Sequence, residues 1–194
     1  FSNKRKGNGK VVAVFFGDGA IEEGAFWESL NVASLMKLPV LFVCEDNHLA
    51  VNTHKSTRQG YNSITDIVSK FNCNVLSSET TDVELVYELS CDALQLIEKE
   101  EKPCFLYLKY YRYLEHVGIN EDFDCGYRSR DEFLQWHALD PVILQRKKLI
   151  EKGCPEEKIQ REEKEIDNQI NSSIMAAEKA PFADTCTLYE GVYV

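Results

Sequence analysis

Two short polar stretches carry the oxygen chemistry of this chain. Gly17-Asp18-Gly19-Ala20 follows an apolar run and precedes a helical pattern. Glycines without Cβ let a phosphate approach the backbone, and the amides that open a helix face the anion. A strand-to-helix turn also uses Gly and Asp for geometry alone, so the tetrapeptide by itself reads first as turn chemistry. Glu45-Asp46-Asn47 follows the next apolar run, and Asp18 and Asn47 lie 47 − 18 = 29 residues apart. That interval holds one helix and one strand, so both side-chain oxygens can converge at one sheet edge. A hard cation such as Mg²⁺ takes oxygen ligands and keeps water or ligand phosphate in its octahedron. One carboxylate, one amide oxygen and a diphosphate would suit it.

The elements that must position these groups follow from periodicity. Lys10 to Phe16 is a β-branched and aromatic run ending at Gly17, the pattern of a fully buried parallel strand. From Glu22 to Lys37 a helix carries Phe26, Leu30, Ala33 and Met36 on one stripe. Trp27, Val32 and Leu35 lie elsewhere around it, so burial on more than one side is expected. Pro39 ends it, Val40 to Cys44 is the next strand, and a polar loop runs from Glu45 to Tyr61. Ser63 or Thr65 caps a helix to about Phe71, Asn74 to Leu76 is a short strand, and Asp82 begins a helix reaching about Lys99. Cys104 to Tyr111 is a further strand.

This alternation predicts an α/β fold, a mostly parallel sheet with helices on both faces. Ligands of such sheets sit beyond the carboxyl ends of the strands, which directs attention to three loops: 17–23, 45–60 and 114–130. Helices over Pro141 to Gly153 and Pro155 to about Lys179 form a C-terminal helical arm with a solvated, charge-rich face. The chain is read as a single domain, 1–194, with an α/β core at 1–130 and the arm at 131–194.

Composition narrows the function classes. With 22 basic against 32 acidic residues the net charge is −10, which disfavours nucleic acid, and the cluster Lys4 to Lys6 with Lys10 reads as a solvated turn. Apolar runs fall far short of the roughly 20 residues that span a bilayer, so no membrane segment is expected. Seven cysteines without a CxxC pair favour reduced thiols in the cytoplasm and no structural zinc. No signal peptide is visible, and a chain that opens at Phe1 reads as a fragment of a longer one.

Taken together, Gly17-Asp18-Gly19, the helix, and Pro39 to Asn47 resemble the thiamine-diphosphate motif of the alpha subunits of 2-oxo acid dehydrogenases, which begins GDG and ends NN. Asp46 replaces the first Asn of that ending; Asn47 keeps the second. Tyr111-Arg112-Tyr113-Leu114-Glu115-His116 is similar to the family segment bearing an active-site histidine, Gly126 to Arg130 to the stretch after it, and Asp140-Pro141 with its helices to the C-terminal arm. The resemblance implies thiamine diphosphate and Mg²⁺ as cofactors. Asp18, Asn47 and the Leu49 carbonyl would ligate the metal, and Gly17, Gly19 and Ala20 would lie along the diphosphate. His116 and Arg112 would face the reacting centre. It also implies decarboxylation of a pyruvate-like 2-oxo acid, transfer of the acyl group to a lipoyl-bearing acyltransferase, and a beta subunit in an α2β2 assembly. That partner would supply the activating glutamate, so this chain alone is expected to be inactive. Val117 stands where members regulated by phosphorylation carry Ser. The family's upstream part precedes the position of Phe1, so the cofactor site is expected to be only partly present.

Among the remaining polar residues, His48 and His54 stay open between surface and substrate roles. His137 reads as structural, and Glu22 and Glu23 as first-turn residues that suit a helix dipole. An acetoin-cleaving or other thiamine-dependent enzyme is an alternative, as is an assembly module that keeps the fold without the chemistry. A dinucleotide-binding reading lacks the GxGxxG spacing.

Overall fold

The computed structural model describes residues 1–191. In chain order it contains α1 (Ser2–Lys6), β1 (Val12–Gly17), α2 (Gly24–Leu35), β2 (Val40–Asp46), the short strands β3 (Leu49–Ala50) and β4 (Thr53–His54), and α3 (Ile64–Val68). There follow β5 (Asn74–Ser78), α4 (Val83–Glu100), β6 (Cys104–Lys109), α5 (Arg130–His137), α6 (Pro141–Glu151) and α7 (Glu156–Lys179). Residues 1–145 form one compact unit and the described residues from Arg146 to Gly191 a second.

Four parallel strands organise the first unit in the order β1-β2-β6-β5. Val12 to Gly17 pair with Val40 to Glu45, and Leu41 to Asp46 with Cys104 to Lys109. Side chains alternate across a strand, and here the two sets build separate cores. Phe42, Cys44, Phe105 and Tyr107 pack with Phe26, Leu30 and Ala33 of α2 and with Ile64 and Val68 of α3. Leu41, Val43, Cys104 and Leu106 pack with Ala93 and Ile97 of α4. The sheet is therefore parallel with helices on both faces, as its strand-helix alternation requires. Connections enter the centre from both edges, so strand order reverses between β2 and β6. Their carboxyl ends are the switch point where such sheets bind ligands.

Several boundaries move for physical reasons. Asp18–Glu22 winds as a 3₁₀ turn, so α2 starts at Gly24 instead of Glu22. Its end is a Schellman closure with Lys37 left-handed at φ 51, where Leu38 N–H donates to the Ala33 carbonyl at 2.9 Å. Among the described residues, the expected burial of α2 on more than one side is met only by Trp27, which packs against the core beside Phe71; Leu35 is 76% exposed and Val32 45%. The basic cluster is no turn but the short helix α1, whose Lys4 ammonium donates to the Met36 carbonyl at 2.6 Å and the Lys37 carbonyl at 3.2 Å. Such a cation suits carbonyls left over at a helix end. The polar loop after β2 holds the antiparallel pair β3–β4, which alternation over two residues could not announce.

In the second unit Arg146 ties the start of α7 by pairing with Glu156 at 3.1 Å and Glu163 at 3.2 Å. The charged residues of α7 are solvated, and Ile166, Ile170 and Ile174 leave an exposed apolar stripe. Among the described residues no helix is long and apolar enough to cross a membrane.

Candidate functional site

The carboxyl end of β1 delivers Asp18 into the interior, 2% exposed. A buried carboxylate needs a partner, and Arg58 provides it: one guanidinium nitrogen stands 2.6 Å from Asp18 Oδ2 and the other pairs with Glu22. Nε of Arg58 donates to the Thr53 carbonyl at 3.0 Å, anchoring the arginine to β4. Glu22 is thus an ion-pair residue as well as an acid beside a helix start. Gly19 is required by packing, because a Cβ there would stand 2.8 Å from the Ala50 Cβ. Space that the sequence alone leaves for an approaching phosphate is on that side filled by β3. At Gly17 the nearest atom to a Cβ would be the Glu45 carbonyl oxygen, 3.8 Å away, an ordinary contact. The Ala20 carbonyl accepts from Glu23 N–H at 3.2 Å.

The end of β2 carries a second buried carboxylate, Asp46, 1% exposed. Its Oδ2 accepts from Lys55 Nζ at 2.7 Å and from the Tyr107 hydroxyl, and Oδ1 from His48 N–H at 2.7 Å. Burial pushes this carboxyl up, and the bonds from Lys55, Tyr107 and His48 outweigh it, leaving the pKa below its ordinary value. Burial and the same carboxylate push the Tyr107 phenol up. Asn47 follows in an Asx-type turn: Oδ1 accepts from Leu49 N–H at 2.9 Å while Nδ2 donates to the Tyr110 hydroxyl at 2.9 Å. His48 takes the left-handed conformation at φ 67, and burial lowers its pKa.

A third loop closes on the other two. Arg112 donates to the Val51 carbonyl at 2.8 Å, the Leu114 carbonyl at 3.0 Å and the Tyr127 hydroxyl at 2.8 Å. Behind it the buried Arg128 forks onto Asp122, donates to the Arg112 carbonyl, and lies 5.0 Å over the Phe123 ring. Tyr111, Tyr113, Phe133, Trp136 and His137 stack beneath the loop, giving His137 the structural place expected of it. Glu115 accepts from Asn120 through both the backbone N–H, at 3.2 Å, and Nδ2, at 2.8 Å, which pinches the segment bearing His116 into a tight loop. His116 itself is exposed there.

The structure therefore brings Asp18, Asn47, Leu49 and Arg112 to one edge of the sheet, with a cleft of about 40 Å³ lined by Asn47, His48, Leu49, Arg112 and Tyr127. A larger cavity of about 330 Å³ beside it is lined by His54, Lys55, Tyr61, Ser63, Tyr107 and Lys109. The Tyr61 hydroxyl is buried without a hydrogen-bond partner among the described residues, and burial together with Glu22 pushes its pKa up to about 12. His116 makes no described contact with the first two loops. Sequence reasoning missed Lys55, Arg58, Tyr107 and Asp122, and it singled out Arg128 within Gly126 to Arg130 without a partner. For the others the available signal was charge, since a carboxylate that becomes buried demands a cation without saying which.

Among the described residues no three His, Cys, Asp or Glu side chains gather as a metal-ligand set. A cation here would rely on the Asp18 carboxylate with amide and carbonyl oxygens from Asn47 and Leu49. Those donors are hard oxygens suited in kind to Mg²⁺, while the unpartnered Tyr61 hydroxyl belongs to the neighbouring cavity. Arg58 already holds Asp18 Oδ2.

Fold and loops together define an open parallel α/β protein whose polar site straddles the strand-order reversal. The chain belongs to the dehydrogenase E1 component family, whose pattern it matches over residues 1–186. It is similar to the pyruvate dehydrogenase E1 component subunit alpha of Zymomonas mobilis, 30% identical over 195 residues that cover 100% of this chain and 54% of the relative. It is also similar to the mitochondrial 2-oxoisovalerate dehydrogenase subunit alpha of Caenorhabditis elegans, 31% identical over 192 residues, 98% of this chain and 44% of the relative. The chain spans about half the length of these curated relatives. Among solved structures, transketolase from Leishmania mexicana superposes on 51% of this chain and 15% of its own with a TM-score of 0.46 and 19% identity.

Proposed function

We propose that this chain is part of the alpha subunit of a thiamine-diphosphate-dependent 2-oxo acid dehydrogenase, acting on a pyruvate-like substrate and passing the acyl group to a lipoyl carrier. The observation that supports it is the convergence of Asp18, Asn47, Leu49 and the Arg112 loop at one sheet edge, in a chain of this family. Asp18, the Asn47 amide oxygen and the Leu49 carbonyl would hold Mg²⁺, and the backbone from Gly17 to Ala20 would lie along the diphosphate. Thiamine diphosphate, when bound, supplies the nucleophilic carbon and the electron sink for loss of carbon dioxide.

The chain's own residues do the positioning. Arg112, spent on three protein oxygens, fixes the third loop against the turn at Val51. His116, carried at the tip of that loop, holds or moves a proton on the substrate side. Asp46 with Lys55 and Tyr107 keeps the end of β2 rigid, so that Asn47 presents its oxygen from a fixed turn. A beta subunit completes the site, and thiols without disulfides suit the cytoplasm.

The test is calorimetric titration of thiamine diphosphate, with and without Mg²⁺, into the full-length protein assembled with its beta partner. Carbon dioxide release from pyruvate and branched 2-oxo acids, and cleavage of acetoin, are followed in parallel. Metal-dependent binding that is lost in Asp18→Ala, together with release of carbon dioxide, is the expected result. Failure to bind would favour the second reading, an assembly module without chemistry, to which Arg58 seated on Asp18 lends support.

A further inference from the structure

We infer that Arg58 is a resident cation of the Asp18 turn, which a divalent cation must displace before it binds, so that metal loading and the release of one guanidinium arm are a single exchange. The inference rests on the proposed cofactor site. It starts from electrostatics. Asp18 is 2% exposed and the Arg58 side chain 10%, so neither charge is relieved by water. A carboxylate so placed is stable only when paired, and the pairing is made at 2.6 Å through the oxygen Oδ2. A guanidinium and a divalent cation on the same carboxylate repel each other strongly in a site with little water. One has to leave.

The geometry provides for the departure. Arg58 is held at three points: Asp18, Glu22 and the Thr53 carbonyl. Only the first has to break outright, and the rigid group tilts as it does. Glu22, 28% exposed and lying in the same 3₁₀ turn as Asp18, retains the other arm of the fork. Gln59 Nε2 also reaches Glu22 Oε1, at 3.4 Å, so the acid is braced to receive the arginine alone. The guanidinium is planar and rigid, so Nη2 leaves Asp18 by a tilt of the whole group towards Glu22, at the expense of the Nε bond to the Thr53 carbonyl. That bond is a side-chain one, so the β3–β4 pairing, which Gly19 lets lie against the turn, stays intact. The protein without metal is thereby spared an unpaired buried carboxylate, and metal affinity is set by the contest between two cations.

The experiment measures Mn²⁺ binding by electron paramagnetic resonance on the full-length protein in its assembly, with and without thiamine diphosphate. Wild type is compared with Arg58→Ala, Arg58→Gln and Glu22→Gln. Arg58→Gln removes the charge and keeps a hydrogen-bond donor for Asp18, which guards against misfolding of the alanine variant. Both Arg58 variants should bind Mn²⁺ more tightly, by roughly tenfold or more. Glu22→Gln should bind it more weakly, since the displaced arm loses its anion, and that effect should disappear in the Arg58→Gln background. Mn²⁺ should also raise the melting temperature more in the Arg58 variants than in wild type. Equal or weaker Mn²⁺ affinity in both Arg58 variants overturns the inference and leaves the proposed function standing. No Mn²⁺ bound by any of these proteins, even with thiamine diphosphate, overturns both. Binding that emerges only when Arg58 is replaced supports the exchange and shows that the arginine wins it.

Discussion

Asp46→Asn restores the residue that the thiamine-diphosphate motif carries, and the structure predicts that here it is harmful. Asp46 Oδ1 accepts from His48 N–H, while Oδ2 accepts from Lys55 and from the Tyr107 hydroxyl. An amide can keep its oxygen toward His48, and Tyr107 can turn its hydroxyl to accept from the new NH₂. Lys55 has no such option, since an amide nitrogen cannot accept from an ammonium. A hydrogen bond to a charged group contributes about 1.5–3 kcal/mol, and removing one member of a fully buried pair costs about 3–5 kcal/mol. Lys55 is 24% exposed and can escape to water, which places the loss near the lower range, about 2 kcal/mol.

Denaturant unfolding of both proteins at pH 7 measures it. The pH dependence gives a second check. The folded Asp46 pKa is depressed, so its stabilisation is present above the unfolded value of about 3.9 and is lost as pH falls through the folded value. The gap between wild type and Asp46→Asn should therefore be full at pH 7, begin to close below about pH 4, and shrink further with acid. A difference under about 0.5 kcal/mol at pH 7, or one unaffected by acid, would refute the assignment of Asp46 as a charged anchor.

Gly19→Ala forces a Cβ to 2.8 Å from Ala50 and should cost about 1–3 kcal/mol, read by thermal or denaturant unfolding. Gly17→Ala, with 3.8 Å of room, should fold within about 0.5 kcal/mol of wild type and weaken thiamine diphosphate in calorimetry. Arg128→Ala leaves Asp122 buried without its fork and should destabilise by about 3 kcal/mol, the low end of the buried-pair range because Tyr127 still donates to Asp122. Arg128→Lys should recover little of that loss, since one ammonium cannot reproduce the planar fork. His116→Ala should leave the unfolding midpoint unchanged, because the side chain is exposed, and lower carbon dioxide release about 10²–10⁴-fold; unaltered turnover would remove His116 from the proton-handling role.

What the sequence determined by itself was local and periodic. Continuous apolar runs alternating with amphipathic stretches were enough to predict a parallel sheet with helices on both faces, but not which strand is buried: β1, read as a fully buried strand, exposes Val12, Val14 and Phe15 at the sheet edge. The same alternation put the loops 17–23, 45–60 and 114–130 beyond the carboxyl ends of parallel strands, with Asp18 and Asn47 on the first two, while Arg112 and His116 came only from the resemblance. Other features depended on which distant residue arrives. Arg58 reaches Asp18 across 40 positions, Tyr107 reaches Asp46 across 61, and Arg112 meets Val51 across 61. None of these pairs has a spacing that marks it in advance. Gly19 is a turn glycine in the sequence and a packing requirement in the fold, because only the tertiary structure lays Ala50 on it. A substitution such as Asp46 for Asn looks minor in a motif. It becomes an anchored charge only when the fold buries the carboxylate and brings Lys55 to it, for a buried ion is stable only with its partner in place.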